Sequence, residues 1–316
     1  MTLSQLRTFV TVARLGSVKE AAKALNVSEP AVSGAVGALR REFGDALYVR
    51  AGGVIELTPG GRQLARAAGE ILGLADDTRR SVGEAHPALR VAATPSFAEF
   101  AAGPLLHAFK QHHRQIDVEL QVARRRELAD LMADRRVDIV LGPPVASTTT
   151  GPEIEAEPFL RYGLVVVAAP RHTLAGSRGV APAALVGTPW LLGPFEADSD
   201  TDTGAFLARQ SIAGARTRAY PNFAAALAQT AAGRGVTLAV AHTIRDELDR
   251  GALVELDVRG TPITGLWYVS VLPPEHRTPS VDALREFVAT PEAAKAMLAR
   301  AGGVPAERFV QMGRWS

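Results

Sequence analysis

The 316-residue chain contains no cysteine. That excludes a disulfide framework, a thiolate nucleophile, cysteine-ligated zinc and iron–sulfur clusters. It also lacks any apolar run near the ~18 residues of a membrane-spanning helix; Leu164 to Pro170, among the longest, is only strand-sized. The opening residues Met1 to Ser17 show neither the basic flank nor the unbroken apolar stretch and small-residue cleavage site of a secretory signal. These absences predict a cytoplasmic protein without membrane contact. No P-loop, Gly-x-Gly-x-x-Gly, His-Glu-x-x-His or Gly-x-Ser-x-Gly pattern occurs. The expectation is therefore no enzyme, no cofactor and no metal.

Three weaker signals fall away on spacing. His112-His113 lies at a predicted helix end, where surface histidines are the simpler reading than metal ligands. Asp198-x-Asp200-x-Asp202-x-Gly204 resembles a calcium loop, but the glycine falls one place late and Arg209 stands where a bidentate glutamate belongs; a loop capping a helix after Thr203 explains it better. Arg124-Arg125-Arg126 is followed by Glu127, Asp130 and Asp134 on the same predicted helix, which reads as a solvated face.

What is present is an ordinary globular composition, 47% hydrophobic and 22% charged, long enough for two or three domains. Net charge is 35 − 33 = +2. Residues 1–62 hold eight basic and five acidic side chains, whereas residues from 87 onward hold 24 of each, so the excess is N-terminal.

That end reads as three helices. Leu3, Leu6, Phe9, Val10 and Ala13 share one helical face, which Gly16 ends. Ser17 and Glu20 have capping-box spacing before Val18, Ala21, Ala22 and Leu25. Asn26 suits the left-handed stop, Ser28 caps a third helix, and Pro30 sits in its first turn. Its apolar face is Val32, Ala35, Val36, Leu39 and Phe43; Ser28, Glu29, Ser33, Gly34 and Gly37 lie opposite, with Arg40 and Arg41 near the end. Two short helices and a three-residue turn describe a helix-turn-helix, and a plain three-helix bundle is the other reading. Two β-rich runs around Gly52-Gly53 then predict a hairpin wing, with Arg50 near a phosphate.

Thr58-Pro59 starts a helix reaching about Glu84, on which Leu64, Ala68, Ile71, Ala75, Thr78 and Val82 repeat by four and three. Such a stripe pairs with another helix; its length and the lack of an intervening turn favour that of a second chain, and a helix packed on its own domain is the other reading. His86-Pro87 marks a linker. Beyond it strand and helix patterns alternate, predicting parallel sheets covered on both faces. Ligands in such folds sit beyond the carboxyl ends of strands, beside helix N-termini. Thr94 and Ser96, Gly142 and Pro143, Asn222, and Thr243 fall at such places.

These residues resemble the LysR-type transcriptional regulators. The resemblance covers the whole chain and is most specific in Leu6-Arg7-x-Phe9, Ala21-Ala22-x-x-Leu25, Val27-Ser28-x-Pro30-Ala31-Val32-Ser33 and Phe43-Gly44-x-x-Leu47-Tyr48-x-Arg50. It implies an α/β protein with an N-terminal all-α winged helix-turn-helix and a C-terminal effector domain of two subdomains, like a type 2 periplasmic binding protein. The implied boundaries are 1–58 for the head, 59–86 for a dimerising linker helix, 87–300 for the effector domain and 301–316 for a tail. Subdomain I would take about 87–162 and 266–300, and subdomain II about 163–265. Implied partners are double-stranded promoter DNA, a small-molecule effector and a second copy, as dimer or tetramer. DNA contacts would come from Ser28, Glu29, Pro30, Ser33, Gly34, Arg40, Arg41 and Arg50; effector contacts from Thr94, Ser96, Gly142, Pro143, Asn222 and Thr243. The family usually has Gln at the place of Glu29 and a basic residue at that of Gly34. A carboxylate accepts from a cytosine amino group or is repelled by phosphate, so affinity is expected to rest more on the arginines. A solute-sensing protein whose head binds another protein is the alternative.

Overall fold

The computed structural model describes residues 1–51, 54–83, 88–147, 152–210 and 216–298. The wing tip Gly52-Gly53, the linker end His86-Pro87 and the tail 301–316 lie outside them, as does the side chain of Val82.

Three capped helices form the head. Thr2 and Gln5 make a reciprocal capping box at the start of α1 (Leu3–Leu15), which Gly16 ends at φ 62. Ser17 caps α2 (Val18–Leu25) through the Glu20 amide, and Asn26 closes it at φ 53. The second half of the expected box is not made, because the Glu20 carboxylate pairs with Lys23 one turn on, at 3.0 Å. Ser28 caps α3 (Glu29–Phe43) through the Ala31 amide at 3.3 Å. Leu6, Phe9, Val12, Val32, Val36 and Leu39 meet in the core. Leu3 and Phe43, assigned by pattern to apolar faces, are exposed at the outer ends of their helices.

The wing strands β1 (Tyr48–Ala51) and β2 (Val54–Leu57) pair antiparallel. A node of hydrogen bonds fixes the wing to α4 (Pro59–Gly83). One oxygen of Asp45 accepts from the Leu47 amide at 2.6 Å and the Thr58 hydroxyl at 2.7 Å, while that hydroxyl accepts from the Gly61 amide at 2.8 Å. These donors hold the Asp45 carboxyl below its ordinary pKa. Leu47 sits in the left-handed region at φ 60, and Gly61 lies so close above it that a Cβ would collide with the Leu47 carbonyl.

The heptad stripe on α4 divides. Ala65, Ala68 and Leu72 join the head core, with Leu64 packed at its edge. Ala68 is fully buried by the chain's own helices, which corrects its assignment to a partner-facing seam. Thr78 is exposed and Ala75 half-buried, while Ile71 and Leu74 expose 40% and 61% of their surface.

In the larger part, β3 (Leu89–Ala93) leads into α5 (Pro95–Phe97), which continues through a π-helical segment (Ala98–Ala102) into α6 (Gly103–His112). Then come β4 (Val118–Val122), α7 (Arg125–Ala133) and β5 (Ile139–Gly142). The long strand β6 (Glu155–Ala168) precedes β7 (Trp190–Leu192), α8 (Asp202–Arg209), β8 (Thr217–Ala219), α9 (Phe223–Ala231), β9 (Thr237–Val240), α10 (Arg245–Asp249) and β10 (Val254–Leu256). The second long strand, β11 (Ile263–Val271), returns to α11 (Pro279–Val288) and α12 (Pro291–Leu298).

The seven-stranded sheet runs β10-β6-β11-β5-β3-β4, with β9 also on β6. Only β3–β4 and β3–β5 are parallel within it; β6 pairs antiparallel with β9, β10 and β11, and β11 with β5. The expected parallel sheet is thus a mixed one. Its cause is the pair β6 and β11, which run side by side from Ile263↔Leu164 to Val271↔Glu155, with one shift of register between Trp267 and Tyr268, and join the two strand groups. A separate parallel pair, β7–β8, completes the second group. The single helix expected near 280–299 breaks at Thr290-Pro291 into α11 and α12.

The two parts also touch away from the linker. Asp134, at the end of α7, pairs with Arg14 of α1. Arg135, at φ 49, lies in the notch left by Gly73 of α4, where a Cβ would collide with it.

Candidate functional site

Two surfaces matter. On the head, Ser28, Glu29, Pro30, Ser33 and Gly34 are all exposed along the N-terminal half of α3. Glu29 apart, their small side chains leave a shallow face over a firmly capped helix end. Arg41 and Arg50 are exposed as well. Arg40 is not available in the same way. Its guanidinium lies over the Tyr48 ring at 4.3 Å and donates to the Tyr48 carbonyl at 3.1 Å, with Nε buried. The residue expected to touch DNA instead pins α3 to the wing, because β1 begins against that last turn.

The second surface is a cleft enclosing about 810 Å³, part of it open to solvent. Thr94, Ser96 and Pro143 line it as expected; Gly142 stands just behind, its position 3.2 Å from the Thr94 hydroxyl measured from an added Cβ. Asn222 and Thr243 are not among its lining. Asn222 caps α9 through the Ala225 amide at 2.8 Å, and the Thr243 hydroxyl donates to the Val240 carbonyl at 2.8 Å. Both turned out to close local backbone, as short polar side chains beside helix starts commonly do.

The rest of the lining was not legible by motif. From the π-helical segment, Phe100 stacks edge-on against Phe223 at 4.9 Å. The Glu99 carboxylate crosses to accept from the amides of Phe223 and Ala224 at 2.9 and 2.7 Å, at the start of α9. A π-helical register is a known device for aiming side chains at a site, and nothing in the sequence announces it. Tyr162 of β6 and Trp267 of β11 form the floor, with rings 4.9 Å apart. The Tyr162 hydroxyl donates to Asp202, in the first turn of α8; burial and that neighbouring carboxylate push the phenol pKa up.

Arg124 and Arg125, read from sequence as a solvated face, line the cleft. Arg124 lies over the Phe195 ring at 3.8 Å, and Arg125 donates to the Asp200 carbonyl at 2.8 Å. Phe195 is itself in the left-handed region at φ 63, which turns its ring outward over the arginine. The acidic stretch 198–202 belongs to the same loop, and its helix begins one residue earlier than expected, capped by Thr201 through Gly204 at 3.0 Å. Glu196 lines the cleft too. Its carboxylate accepts from the Gly193 amide at 2.8 Å, and burial, with Glu99 near, pushes its pKa up to about 7.

His112 pairs with Glu292 at 2.8 Å on the far surface. Among the described residues no three His, Asp or Glu side chains are placed to hold a metal, and no helix is long and apolar enough to cross a membrane.

Comparisons with known proteins agree with this arrangement. The family model of the bacterial regulatory helix-turn-helix protein, lysR family, matches residues 3–62, and that of the LysR substrate binding domain matches residues 83–291. An uncharacterised HTH-type transcriptional regulator of Mycobacterium tuberculosis is 37% identical over 323 aligned positions, covering all of both chains. A RuBisCO operon transcriptional regulator of Allochromatium vinosum is 33% identical, over 91% of this chain and 95% of its own. A full-length OxyR from Pseudomonas aeruginosa, 18% identical, shares the fold at a TM-score of 0.54 over 91% of this chain and 94% of that one.

Proposed function

Because the chain belongs to the LysR family of transcriptional regulators, we propose specific roles for its two surfaces. The family membership makes it a DNA-binding regulator with an effector-binding domain, not an enzyme. The roles that follow are our reading.

Helix α3 enters the major groove, presenting Ser28, Glu29, Pro30, Ser33 and Gly34 to base edges, while Arg41 and Arg50 meet phosphates on either side. The observation that carries this is the exposed, small-residue face at the capped start of α3. The protein works in the cytoplasm, on promoter DNA. It acts as a dimer or tetramer through the outer face of α4, where Ile71, Leu74 and Thr78 are exposed. Paired heads then read half-sites of two-fold symmetry about one helical turn, ~34 Å, apart. The head is taken as 1–58, the linker helix as 59–86 and the effector domain as 87–300, with the effector held in the cleft between Thr94, Ser96 and the aromatic floor.

Fluorescence anisotropy with the DNA upstream of the protein's own gene, at several salt concentrations, tests the DNA surface. Arg41→Ala and Arg50→Ala should each reduce the salt slope by about 1. Glu29→Gln should tighten binding by up to about tenfold, roughly 1.4 kcal/mol, by removing a carboxylate that the phosphates lining the groove repel. Failure to bind that DNA at low salt removes the reading of α3, and a weaker Glu29→Gln variant removes the repulsion argument.

A further inference from the structure

Most charged groups around the cleft already have partners within the chain. Arg124 is stacked on Phe195, Arg125 is held by the Asp200 carbonyl, and Asp202 accepts from Tyr162. Asp198 faces Arg126 at 3.8 Å. The start of α9 is a natural seat for an anion, since its free amides and positive dipole end attract negative charge. The chain fills that seat itself with the Glu99 carboxylate.

Glu196 is different. It is half-buried in the cleft wall with one neutral donor, the Gly193 amide, and among the described residues no cationic side chain pairs with it. Its carboxylate lies near Phe223, as does that of Glu99, so two negative groups share one corner. Withdrawal from water first, and the Glu99 charge after it, push the Glu196 pKa up to about 7. An incoming anion would add a third negative charge there. A cation would neutralise Glu196 and lie among the rings of Phe100, Phe223 and Trp267, whose faces attract positive charge.

We propose that the effector carries a protonated nitrogen, an amine or guanidinium, and that Glu196 is the residue that recognises it. This rests on the reading of the cleft as the effector site. The hydroxyls of Thr94 and Ser96 meet the effector's other polar groups from the wall contributed by β3 and α5.

The test uses the full-length protein and three probes: putrescine, ornithine and succinate, at one ionic strength. Melting temperature and calorimetric Kd are measured. Putrescine and ornithine should raise the melting temperature, because they bind only the folded state, and succinate should not. Glu196→Gln keeps the shape and the Gly193 contact but should weaken both amines by about tenfold or more, the value of a charge-assisted hydrogen bond. Glu196→Asp keeps the charge and should retain measurable binding, which separates loss of recognition from loss of fold. Amine binding unchanged by Glu196→Gln overturns the assignment, and so does a protein that responds to none of the three. If succinate binds instead, and Ser96→Ala weakens it, the cleft is the effector site but the cationic class is wrong.

Discussion

In the head, every core side chain comes from residues between Leu6 and Leu72, and the exposed face of α3 is one run of neighbours from Ser28 to Gly34. In the cleft, the walls come from Thr94, Arg125, Tyr162, Glu196, Phe223 and Trp267, brought together by two long strands that pass between subdomains. On the proposed reading, the head acts through a contiguous surface on a rigid support. The cleft, on the same reading, acts through a meeting of segments distant in sequence, several of which hold one another: Glu99 on α9, Arg125 on the Asp200 loop, Tyr162 on Asp202. A change in the head should therefore act locally and severely, whereas changes in the cleft should act through charge and closure.

The largest effect is expected where the head tolerates least. At Gly61 a Cβ would meet the Leu47 carbonyl, and Leu47 is already held at φ 60 by the Asp45 and Thr58 node. Backbone cannot step aside there as a side chain would. Gly61→Ala should cost about 2–3 kcal/mol, at the upper part of the range for overpacking, and displace the wing. Operator binding should fall sharply, while any ligand response of the cleft persists. Thermal unfolding and anisotropy on the same variant check this; equal loss of both functions would show that head and cleft are not separable.

How much of this was readable in the sequence follows the same division. The caps Ser17 and Ser28, the stops Gly16 and Asn26, and the Pro59 start all act within one turn of their own position, so spacing alone locates them. The heptad on α4 was only partly legible: Leu64 and Ala68, spaced for a partner helix, pack on the chain's own head, while Ile71 and Thr78 of the same stripe stay exposed. Arg40 misled because a side chain on a helix end is free or pinned according to the wing that folds against it. In the cleft, Thr94 and Ser96 could be placed because they follow a strand and open a helix. Glu99, Tyr162 and Glu196 could not, since their role depends on the antiparallel pairing of β6 with β11 and on a π-helical register. Arg124 and Arg125 were dismissed for a sound local reason, acidic neighbours one turn away, and recovered by a distant loop.

A second break in the comparison is electrostatic. The Glu196 pKa, raised from its ordinary value to about 7, means that the folded chain binds this proton more tightly than the unfolded chain. Its share of stability is therefore fully present below pH ~4.5 and lost as pH rises through about 7. Glu196→Gln should leave stability near pH 4 almost unchanged and raise it at pH 8 by about 1–3 kcal/mol, given about 1.36 kcal/mol per pKa unit. Denaturant unfolding at the two pH values measures the difference. A variant that is no more stable at pH 8 would mean the carboxylate is solvated rather than crowded.

The smallest effect lies at the joint between the two regions. Arg14 of α1 and Asp134 at the end of α7 form an ion pair about a third exposed on each side, 39% and 31%. Exposed pairs of this kind contribute only about 0.2–1 kcal/mol, screened by salt. A double-mutant cycle with Arg14→Ala and Asp134→Ala should return a coupling in that range at low salt and near zero at 1 M. Yet α7 begins at the cleft, with Arg125, and ends against the head, and Arg135, which fills the Gly73 notch with Glu70 of α4 as a favourable charged neighbour, adds packing as well as charge to the same contact. If packing rather than charge holds the joint, the head should stay docked in 1 M salt, so that unfolding of wild type remains a single transition while the cycle's coupling disappears. Separation of head and cleft unfolding by salt alone would assign the joint to its charges, Arg14 with Asp134 and Arg135 with Glu70, and the packing of Arg135 at Gly73 would then not suffice to hold it.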